Sequence, residues 1–112
     1  MNEARRRFER EFERLSAAFV EGLPLRVQSV GDDVTAWLAA PDEEALFERL
    51  SHKVHQLKGA GSTFGCPGIS DAARALEQRL ADCRDGSPFD ELAVAMRVLE
   101  EEAARLQAGR EW

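Results

Sequence analysis

The chain has 112 residues, enough for one small domain with a single core. Fifteen Lys and Arg against 21 Asp and Glu give a net charge of −6 at pH 7, which argues against nucleic acid or an anionic membrane as the main partner. No apolar run reaches the roughly 18 residues of a transmembrane helix, and no signal-peptide apolar region follows the charged N-terminal segment. We therefore predict a single domain over residues 1–112 and a cytoplasmic location.

The first third of the chain predicts two helices. Four apolar residues recur at spacings of four, three and four, as on one face of a helix: Phe8, Phe12, Leu15 and Phe19. Gly22 interrupts this face, and Pro24 suits the first turn of a second helix, where its missing N–H costs nothing. The second helix is expected to run to Ala39, before Pro41 restarts the chain.

Three further helices are predicted after Pro41. The third carries a mostly apolar inner stripe: Leu46, Leu50, Val54, Leu57, Gly61 and Phe64. Pro67 ends it or begins the fourth, whose inward residues are Ile69, Ala72, Ala73, Leu76, Leu80 and Cys83. Ser87 and Pro88 resemble the cap and first residue of a fifth helix, which carries the stripe Leu92, Met96, Leu99, Ala103 and Leu106. Short connections between helices predict an all-α fold, an up-and-down antiparallel four-helix bundle with an additional N-terminal helix, five helices in all.

Gly61 and the two cysteines allow further predictions. Gly61 is expected to allow two helices to pack closely. Cys66 and Cys83 lie near opposite ends of the fourth predicted helix, about 25 Å apart at 1.5 Å per residue, whereas a disulfide needs Cα atoms within about 7 Å. We predict that both thiols are reduced and mostly buried.

The residues that could take part in a reaction lie on the third predicted helix. A step of 100° per residue from the inner stripe directs His55 toward solvent, and a neutral imidazole has a free nitrogen that can act as a nucleophile. Lys58, one turn later, adds a positive charge beside it. Gly59 is costly inside an exposed helix, by about 1 kcal/mol relative to alanine, but leaves the backbone beside His55 open. These features suit phosphoryl transfer, and four more residues are candidates for partner contact: Glu48, His52, Gln56 and Ser62.

Other kinds of site fit this helix less well. A surface histidine near a lysine often has no function, so the pair alone decides little. Glu48, His52 and His55 could share one face, but a stable metal site needs three or four converging ligands and the chain has no third histidine. No catalytic serine motif, glycine-rich phosphate loop or ATP-binding signature is visible. We predict no metal, no cofactor of the chain's own and no autonomous kinase activity.

The third and fourth predicted helices resemble the histidine-containing phosphotransfer (Hpt) domain of bacterial two-component phosphorelays. The resemblance rests on the segment His55-Gln56-Leu57-Lys58-Gly59, on Gly65 ten residues after the histidine, and on Cys66, Ile69, Ala73 and Leu76-Glu77 in the next helix. Leu23-Pro24 and Arg26 upstream are similar to the family's entry to its second helix. The resemblance covers about residues 10 to 105, and one departure is a slightly longer connection over residues 39–44, which leaves the partner contacts of that loop open.

The resemblance implies a phosphorelay carrier. His55 would accept a phosphoryl group on Nε2 from a receiver-domain aspartate and pass it to another receiver, with response regulators or a hybrid sensor kinase as partners. Lys58 would hold phosphate oxygens and Gly59 would keep the approach open, while Mg²⁺ is expected in the partner receiver. The alternative is a helical adaptor that docks on a regulator or kinase without phosphotransfer. The dimerising hairpin of a sensor kinase fits poorly, because it needs two long helices and a proline shortly after the histidine.

Overall fold

The computed structural model describes residues 2–110 and folds them into four helices. These are α1 (Asn2–Ala39), α2 (Glu44–Thr63), α3 (Pro67–Arg84) and α4 (Asp90–Arg110). Helix α2 packs between α1 and α3, and α4 closes the bundle against α3 and α1. Each helix therefore packs against its neighbours in the chain, as short connections require. The predicted all-α fold and four-helix bundle are confirmed for this part of the chain.

The predicted fifth helix is wrong, because α1 continues through Gly22 and Pro24 without a break. Pro24 has no N–H to donate to the carbonyl of Val20, which would be its partner four residues earlier. The side-chain amide of Gln107, on α4, donates to that carbonyl instead. A hydrogen bond across the bundle thus replaces the missing helical one, and the expected additional N-terminal helix is the first half of α1.

One apolar stripe from each helix builds a common core. Leu23, Leu50, Leu76 and Leu99, one from each helix, are completely buried, and full burial of such a side chain contributes about 1.5–3 kcal/mol. The inward positions predicted for α2, α3 and α4 are all buried or partly buried. Cys66 and Cys83 are buried free thiols, as predicted, and burial raises the pKa of both.

The beginning of α1 lies mostly outside the core. Phe19 is buried, but Phe8 is 70% exposed, Leu15 42% and Phe12 38%. The apolar face exists as the spacing predicts, yet α1 extends beyond the other helices, and the molecule measures 54 × 28 × 18 Å. A sequence pattern shows which residues share a face and not whether another element covers that face.

The turn from α2 to α3 fixes how these two helices face each other. Gly65 has a φ of 73°, in the left-handed region that glycine adopts without steric cost. The N–H of Cys66 then donates to the carbonyl of Gly61 at 2.8 Å, which closes the helix end. A Cβ on Gly61 would lie 2.9 Å from the backbone nitrogen of Ser70, so the prediction that this glycine allows close packing is confirmed.

The turn from α3 to α4 differs from its prediction. Helix α4 begins at Asp90 and not at Pro88. The carbonyl of Phe89 accepts the N–H of Ala93 at 3.0 Å, so Ser87 is not the cap of this helix. Within residues 2–110, none of the helices combines the length and apolar content needed to cross a bilayer.

Candidate functional site

The outer face of α2 carries the predicted site. Five exposed residues follow one another at spacings of four, three, four and three, which places them in one row along a helix: Glu48, His52, His55, Gly59 and Ser62. Gln56 is also exposed and lies on the side of the row toward α1, where it lines a groove. The outward orientation predicted for His55 is confirmed, and the roles of all these residues stay predictions.

His55 is the member of this row with a partner from another helix. Its side chain is 67% exposed, and its Nδ1 lies 3.2 Å from Oε2 of Glu77, on α3. A carboxylate can only accept a hydrogen bond, so this bond requires the ring proton on Nδ1. The neutral ring then carries its lone pair on Nε2. The contact therefore orients the imidazole and leaves Nε2 as the nucleophilic nitrogen.

The same carboxylate also binds Lys58. The Nζ of Lys58 donates to Oε1 of Glu77 at 2.8 Å, so Glu77 bridges the lysine and the histidine. Hydrogen bonding from Lys58, and secondarily from His55, lowers the pKa of Glu77 against the opposing effect of partial burial. Glu77 is therefore ionised at neutral pH, and its carboxylate links Lys58 to His55.

Gly59 and Gly61 are two residues apart and have different surroundings. A Cβ added to Gly59 would meet no atom within 4 Å, whereas Gly61 has no room for one. Packing inside the chain thus explains Gly61 and does not explain Gly59. The exposed backbone at Gly59, one turn after His55, leaves space for a group that approaches the ring from outside.

The comparison with protein families shows which family the chain belongs to. The family model of the Hpt domain matches residues 5–109, which is almost the whole chain. This chain belongs to the Hpt domain family. Hpt domains take part in histidine phosphotransfer in phosphorelays, as phosphocarriers rather than enzymes. No curated protein and no solved structure matched the chain.

Glu77 is the site residue whose role the sequence analysis missed. In the sequence it stands only as part of the Leu76-Glu77 motif, 22 residues after His55. The turn at Gly65 gives a signal that could have located it, since His55 lies ten residues before that glycine and Glu77 twelve after. In an antiparallel helix pair, residues at similar distances from the connecting turn lie side by side along the helix axes. The sequence then leaves open only whether the side chain of Glu77 points toward α2.

A groove between α1 and α2 lies beside the outer face of α2 in this Hpt domain. Its volume is about 420 Å³, and its lining residues are Leu25, Arg26, Ser29, Val30, Lys53, Gln56 and Leu57. Lys53 forms an ion pair with the buried Asp33, with its Nζ 2.9 Å from Oδ2. The same Nζ donates to Oγ of Ser29 at 2.7 Å. Leu25 is 75% exposed on the groove's rim, so the surface beside Gln56 is largely apolar.

Metal ligation is another chemistry that the histidines and carboxylates of α2 could provide. Within residues 2–110, His, Cys, Asp and Glu side chains form no group of three that could hold an ion. His55 is instead bound to Glu77, and Glu77 to Lys58, whose ammonium group occupies the second carboxylate oxygen. The cluster thus joins an ammonium group and an imidazole through one carboxylate.

Proposed function

We propose that this Hpt domain is a phosphorelay carrier in which Nε2 of His55 accepts a phosphoryl group from an aspartyl phosphate of a receiver domain and passes it to an aspartate of another receiver. The hydrogen bond between Nδ1 of His55 and Glu77 is the observation that supports this proposal most directly. It keeps the proton on Nδ1, so Nε2 can attack without first losing one. The 67% exposure of the side chain leaves it within reach of another protein.

The transfer step needs no acid or base from this chain. The lone pair of Nε2 forms a bond to phosphorus, while the bond between phosphorus and the aspartyl oxygen breaks and its electron pair returns to the carboxylate of the receiver. The imidazole becomes a cation in this step, because Nδ1 keeps its proton. The carboxylate of Glu77 lies next to that cation and stabilises it. Transfer to the second receiver is the reverse reaction.

Lys58 and Gly59 serve the incoming phosphoryl group. An ammonium group has three donors, and Glu77 accepts one of them, so Lys58 can also donate to phosphate oxygens beside His55. The open backbone at Gly59 admits the loop that presents the aspartyl phosphate. Mg²⁺ belongs to the receiver, where it neutralises the phosphoryl oxygens during transfer.

The exposed row on α2 provides the contacts with the receiver. Glu48, His52 and Ser62 extend it on both sides of His55, and Gln56 connects it to the groove against α1. The receivers belong to response regulators or to a hybrid sensor kinase, and neither nucleic acid nor a membrane takes part in this step. The chain acts in the cytoplasm, where such regulators are found.

Two histidine variants test this proposal. A purified receiver domain carrying a labelled aspartyl phosphate is incubated with the wild-type chain, with His55→Ala and with His52→Ala. We expect label on the wild type and on His52→Ala and none on His55→Ala, and acid-labile, base-stable label would identify phosphohistidine. His52 is the matched control because it lies on the same exposed row, three residues away.

Two results would contradict the proposal. Label that persists in His55→Ala and disappears in His52→Ala would reverse the assignment. A wild-type chain that binds the phosphorylated receiver without taking up label would support the alternative, a helical adaptor that docks without phosphotransfer. Binding is measured in the same samples, so failed docking and failed chemistry are distinguished.

A further inference from the structure

The groove between α1 and α2 lies beside His55, at the same height of the bundle. The hydrogen bond from Lys53 to Ser29 fixes the antiparallel register of the two helices. In that register Arg26 lies at the height of Gln56, and both side chains line the groove. Gln56 directly follows His55 in the chain, so a protein bound over the histidine reaches the groove across one side of α2.

A receiver bound at His55 has to cover more than α2. A specific interface occupies about 800 Å² on each partner, a patch roughly 30 Å across, whereas packed helices lie about 8–10 Å apart. The patch around His55 therefore includes surface of α1, of α3 or of both. The two sides of α2 differ in charge and in shape, and these differences indicate which side a receiver covers.

The α1 side of α2 has an excess of positive charge. Arg26 and Lys53 line the groove, and Arg49 lies one turn before Lys53. Within residues 2–110, these three cations share one carboxylate as ion-pair partner, that of the buried Asp33. It lies 3.3 Å from Arg49 and 2.9 Å from Lys53, and Arg26 has no ion pair there. A patch of about two uncompensated positive charges results.

The α3 side of α2 has no such excess. Lys58 is paired with Glu77, and Arg74 of α3 is paired with Asp71. A receiver that holds Mg²⁺ beside its aspartyl phosphate needs carboxylates as ligands of that ion. Its surface around the phosphate is therefore rich in anionic groups, and charge complementarity favours the α1 side.

The acidic end of the bundle favours the same side. Residues 40–48 and 82–91, which connect the helices at the end opposite the α2–α3 turn, contain eight acidic residues and one basic residue. The rest of the chain contains 14 basic and 13 acidic residues, so almost the whole net charge is at this end. An anionic receiver surface is repelled there and attracted toward Arg26.

The groove also provides apolar surface for a partner. Leu25 is 75% exposed on its rim, and the floor is formed by Val30 and Leu57, each 2% exposed. An apolar side chain of the receiver that enters the groove is buried between Leu25 and this floor, which favours association. Such a side chain beside a carboxylate matches the groove, because Arg26 lies next to Leu25.

A glycine on α1 leaves room for a close approach from this side. Gly22 shares a helix face with Arg26 and Ser29, which follow it by four and seven residues. A Cβ on Gly22 would meet no atom within 4 Å, so packing does not explain a residue that is disfavoured inside a helix. Gly59 has the same property and lies at nearly the same height on α2. Bare backbone therefore borders the groove on both helices.

On the basis of the proposed function, we propose that the receiver docks on the α1 side of His55 and that Leu25 and Arg26 determine which receivers bind. The matching receiver presents an apolar side chain to the groove and a carboxylate to Arg26. A receiver that lacks this pair binds weakly although it offers the same aspartyl phosphate. The residues of α1 thus select the partner, while His55 and its neighbours on α2 and α3 carry out the transfer.

The dependence of transfer on receiver concentration tests this proposal. Single-turnover uptake of label from a phosphorylated receiver gives a limiting rate and a half-saturating concentration. Leu25→Glu and Arg26→Glu should each raise the half-saturating concentration about tenfold or more and leave the limiting rate unchanged. Val94→Glu and Arg97→Glu are the matched controls, because both residues are exposed on α4, and they should behave like the wild type. Thermal melting checks that every variant is folded.

Two further measurements separate docking from damage to the site. Labelled phosphoramidate, a small donor that needs no docking surface, should label the wild type, Leu25→Glu and Arg26→Glu at the same rate. Gly22→Gln should weaken docking without loss of stability. Gly31→Gln is its control on the same helix, because a Cβ there lies on the α4 side, at an ordinary 3.5 Å from Met96.

The outcomes distinguish this proposal from the proposed function. Half-saturating concentrations that stay unchanged in Leu25→Glu and Arg26→Glu would overturn docking on the α1 side, while transfer to the wild type would still support the carrier. Slower phosphoramidate labelling of these variants would also contradict the proposal, because it places their effect at His55. A wild type that takes label from phosphoramidate and from no phosphorylated receiver would overturn the proposed function, and the selection of receivers with it.

Discussion

Glu77 connects His55 and Lys58, the two residues of α2 that we propose act in transfer. The side chain comes from α3, and each of its oxygens binds a different partner, His55 Nδ1 at 3.2 Å and Lys58 Nζ at 2.8 Å. A histidine on a single exposed helix could turn freely between rotamers. The carboxylate from the neighbouring helix restricts that rotation and fixes the position of the ring proton. In this respect the site belongs to the helix pair and not to α2 alone.

We predict that Glu77→Gln slows phosphotransfer by on the order of tenfold without unfolding the chain. The glutamine oxygen can still accept the proton of Nδ1, but it no longer stabilises the cationic ring that forms during transfer. The factor is modest because the site is open to water, where such interactions are weaker than in a closed pocket. Single-turnover labelling from a phosphorylated receiver measures the rate, and circular dichroism checks the fold. An unchanged rate would remove Glu77 from the proposed mechanism.

The pH dependence of stability gives Glu77 a second, independent test. Its pKa in the folded chain is lowered from 4.5. Ionisation of Glu77 therefore stabilises the folded state at pH values above the pKa that this residue has in the unfolded chain. This contribution is lost as the pH falls through the lower, folded pKa. The stability difference between the wild type and Glu77→Gln should therefore be constant above about pH 5 and shrink at lower pH. A difference independent of pH would contradict the ion pair with Lys58.

Lys58 and Gly59 should affect transfer more than folding. Lys58→Ala removes the cation beside the phosphoryl group and should slow transfer on the order of tenfold, while loss of a partly exposed ion pair costs at most about 1 kcal/mol. Gly59→Gln should obstruct the receiver's approach although a Cβ there meets nothing within the chain. Its melting temperature should hold or rise, because glycine costs about 1 kcal/mol inside a helix.

Size and position provide the controls for Gly59. Gly59→Ala should show a smaller loss of transfer than Gly59→Gln with a similar gain in stability. Ala104→Gln places the same side chain on an exposed position of α4, away from α2, and should leave transfer unchanged. Wild-type transfer rates in Lys58→Ala and Gly59→Gln, both folded, would show that the proposed arrangement around His55 is wrong.

The sequence could predict much of the site at the residue scale. The exposed row on α2 follows from helical geometry once the inner stripe is known, so the outward position of His55 needed no structure. The link between Lys58 and His55 could not be obtained in this way. It depends on a carboxylate from another helix. The residue pattern of α2 does not show how α3 is rotated about its own axis, and this rotation decides which α3 side chains reach His55.

At the scale of elements, Pro24 shows how a tertiary contact overrides a local signal. A glycine followed two residues later by a proline is typical of a helix boundary, and two helices were predicted there. The structure keeps one helix, and Gln107 of α4 donates to the carbonyl that Pro24 leaves without a donor. Val20 and Gln107, which form this bond, are 87 positions apart along the chain. No pattern within a single helix could predict that bond.

We predict that the cost of removing Gln107 depends on Pro24. Gln107→Ala should destabilise the wild type by about 1 kcal/mol, because it leaves a partly buried carbonyl without its donor. In a Pro24→Ala background, the new backbone N–H binds Val20 and the same substitution should cost almost nothing. Urea unfolding of the four proteins measures this coupling.

The control for this cycle is another glutamine. Gln28→Ala changes an exposed side chain on α1 and should alter stability by less than about 0.5 kcal/mol in either background. If Gln107→Ala costs the same with and without Pro24, the amide does not replace the missing helical bond, and another contact must keep α1 continuous.

At the scale of the whole molecule, the fold positions the proposed nucleophile, His55, on an exposed helix face. The four helices hold His55, Lys58 and Glu77 in place through a core of buried leucines, valines and alanines. The cavities among the described residues are open grooves between helices, and the one nearest the site has a volume of about 420 Å³ and a largely apolar lining. Under the proposed function, we expect the metal and most phosphate-binding groups to belong to the receiver.

The full chain should take no label from ATP and Mg²⁺ alone. Its sequence contains no glycine-rich phosphate loop, and the face around His55 offers one lysine, already bound to Glu77, to a nucleotide that carries several negative charges. Incubation with γ-labelled ATP and Mg²⁺ should leave the chain unlabelled, while a labelled receiver phosphorylates it in the same buffer. His55→Ala, purified in parallel, detects a contaminating kinase that acts elsewhere on the chain. Label from ATP that appears on the wild type and is absent from His55→Ala would contradict the carrier proposal, once the preparation is shown to be free of histidine kinase.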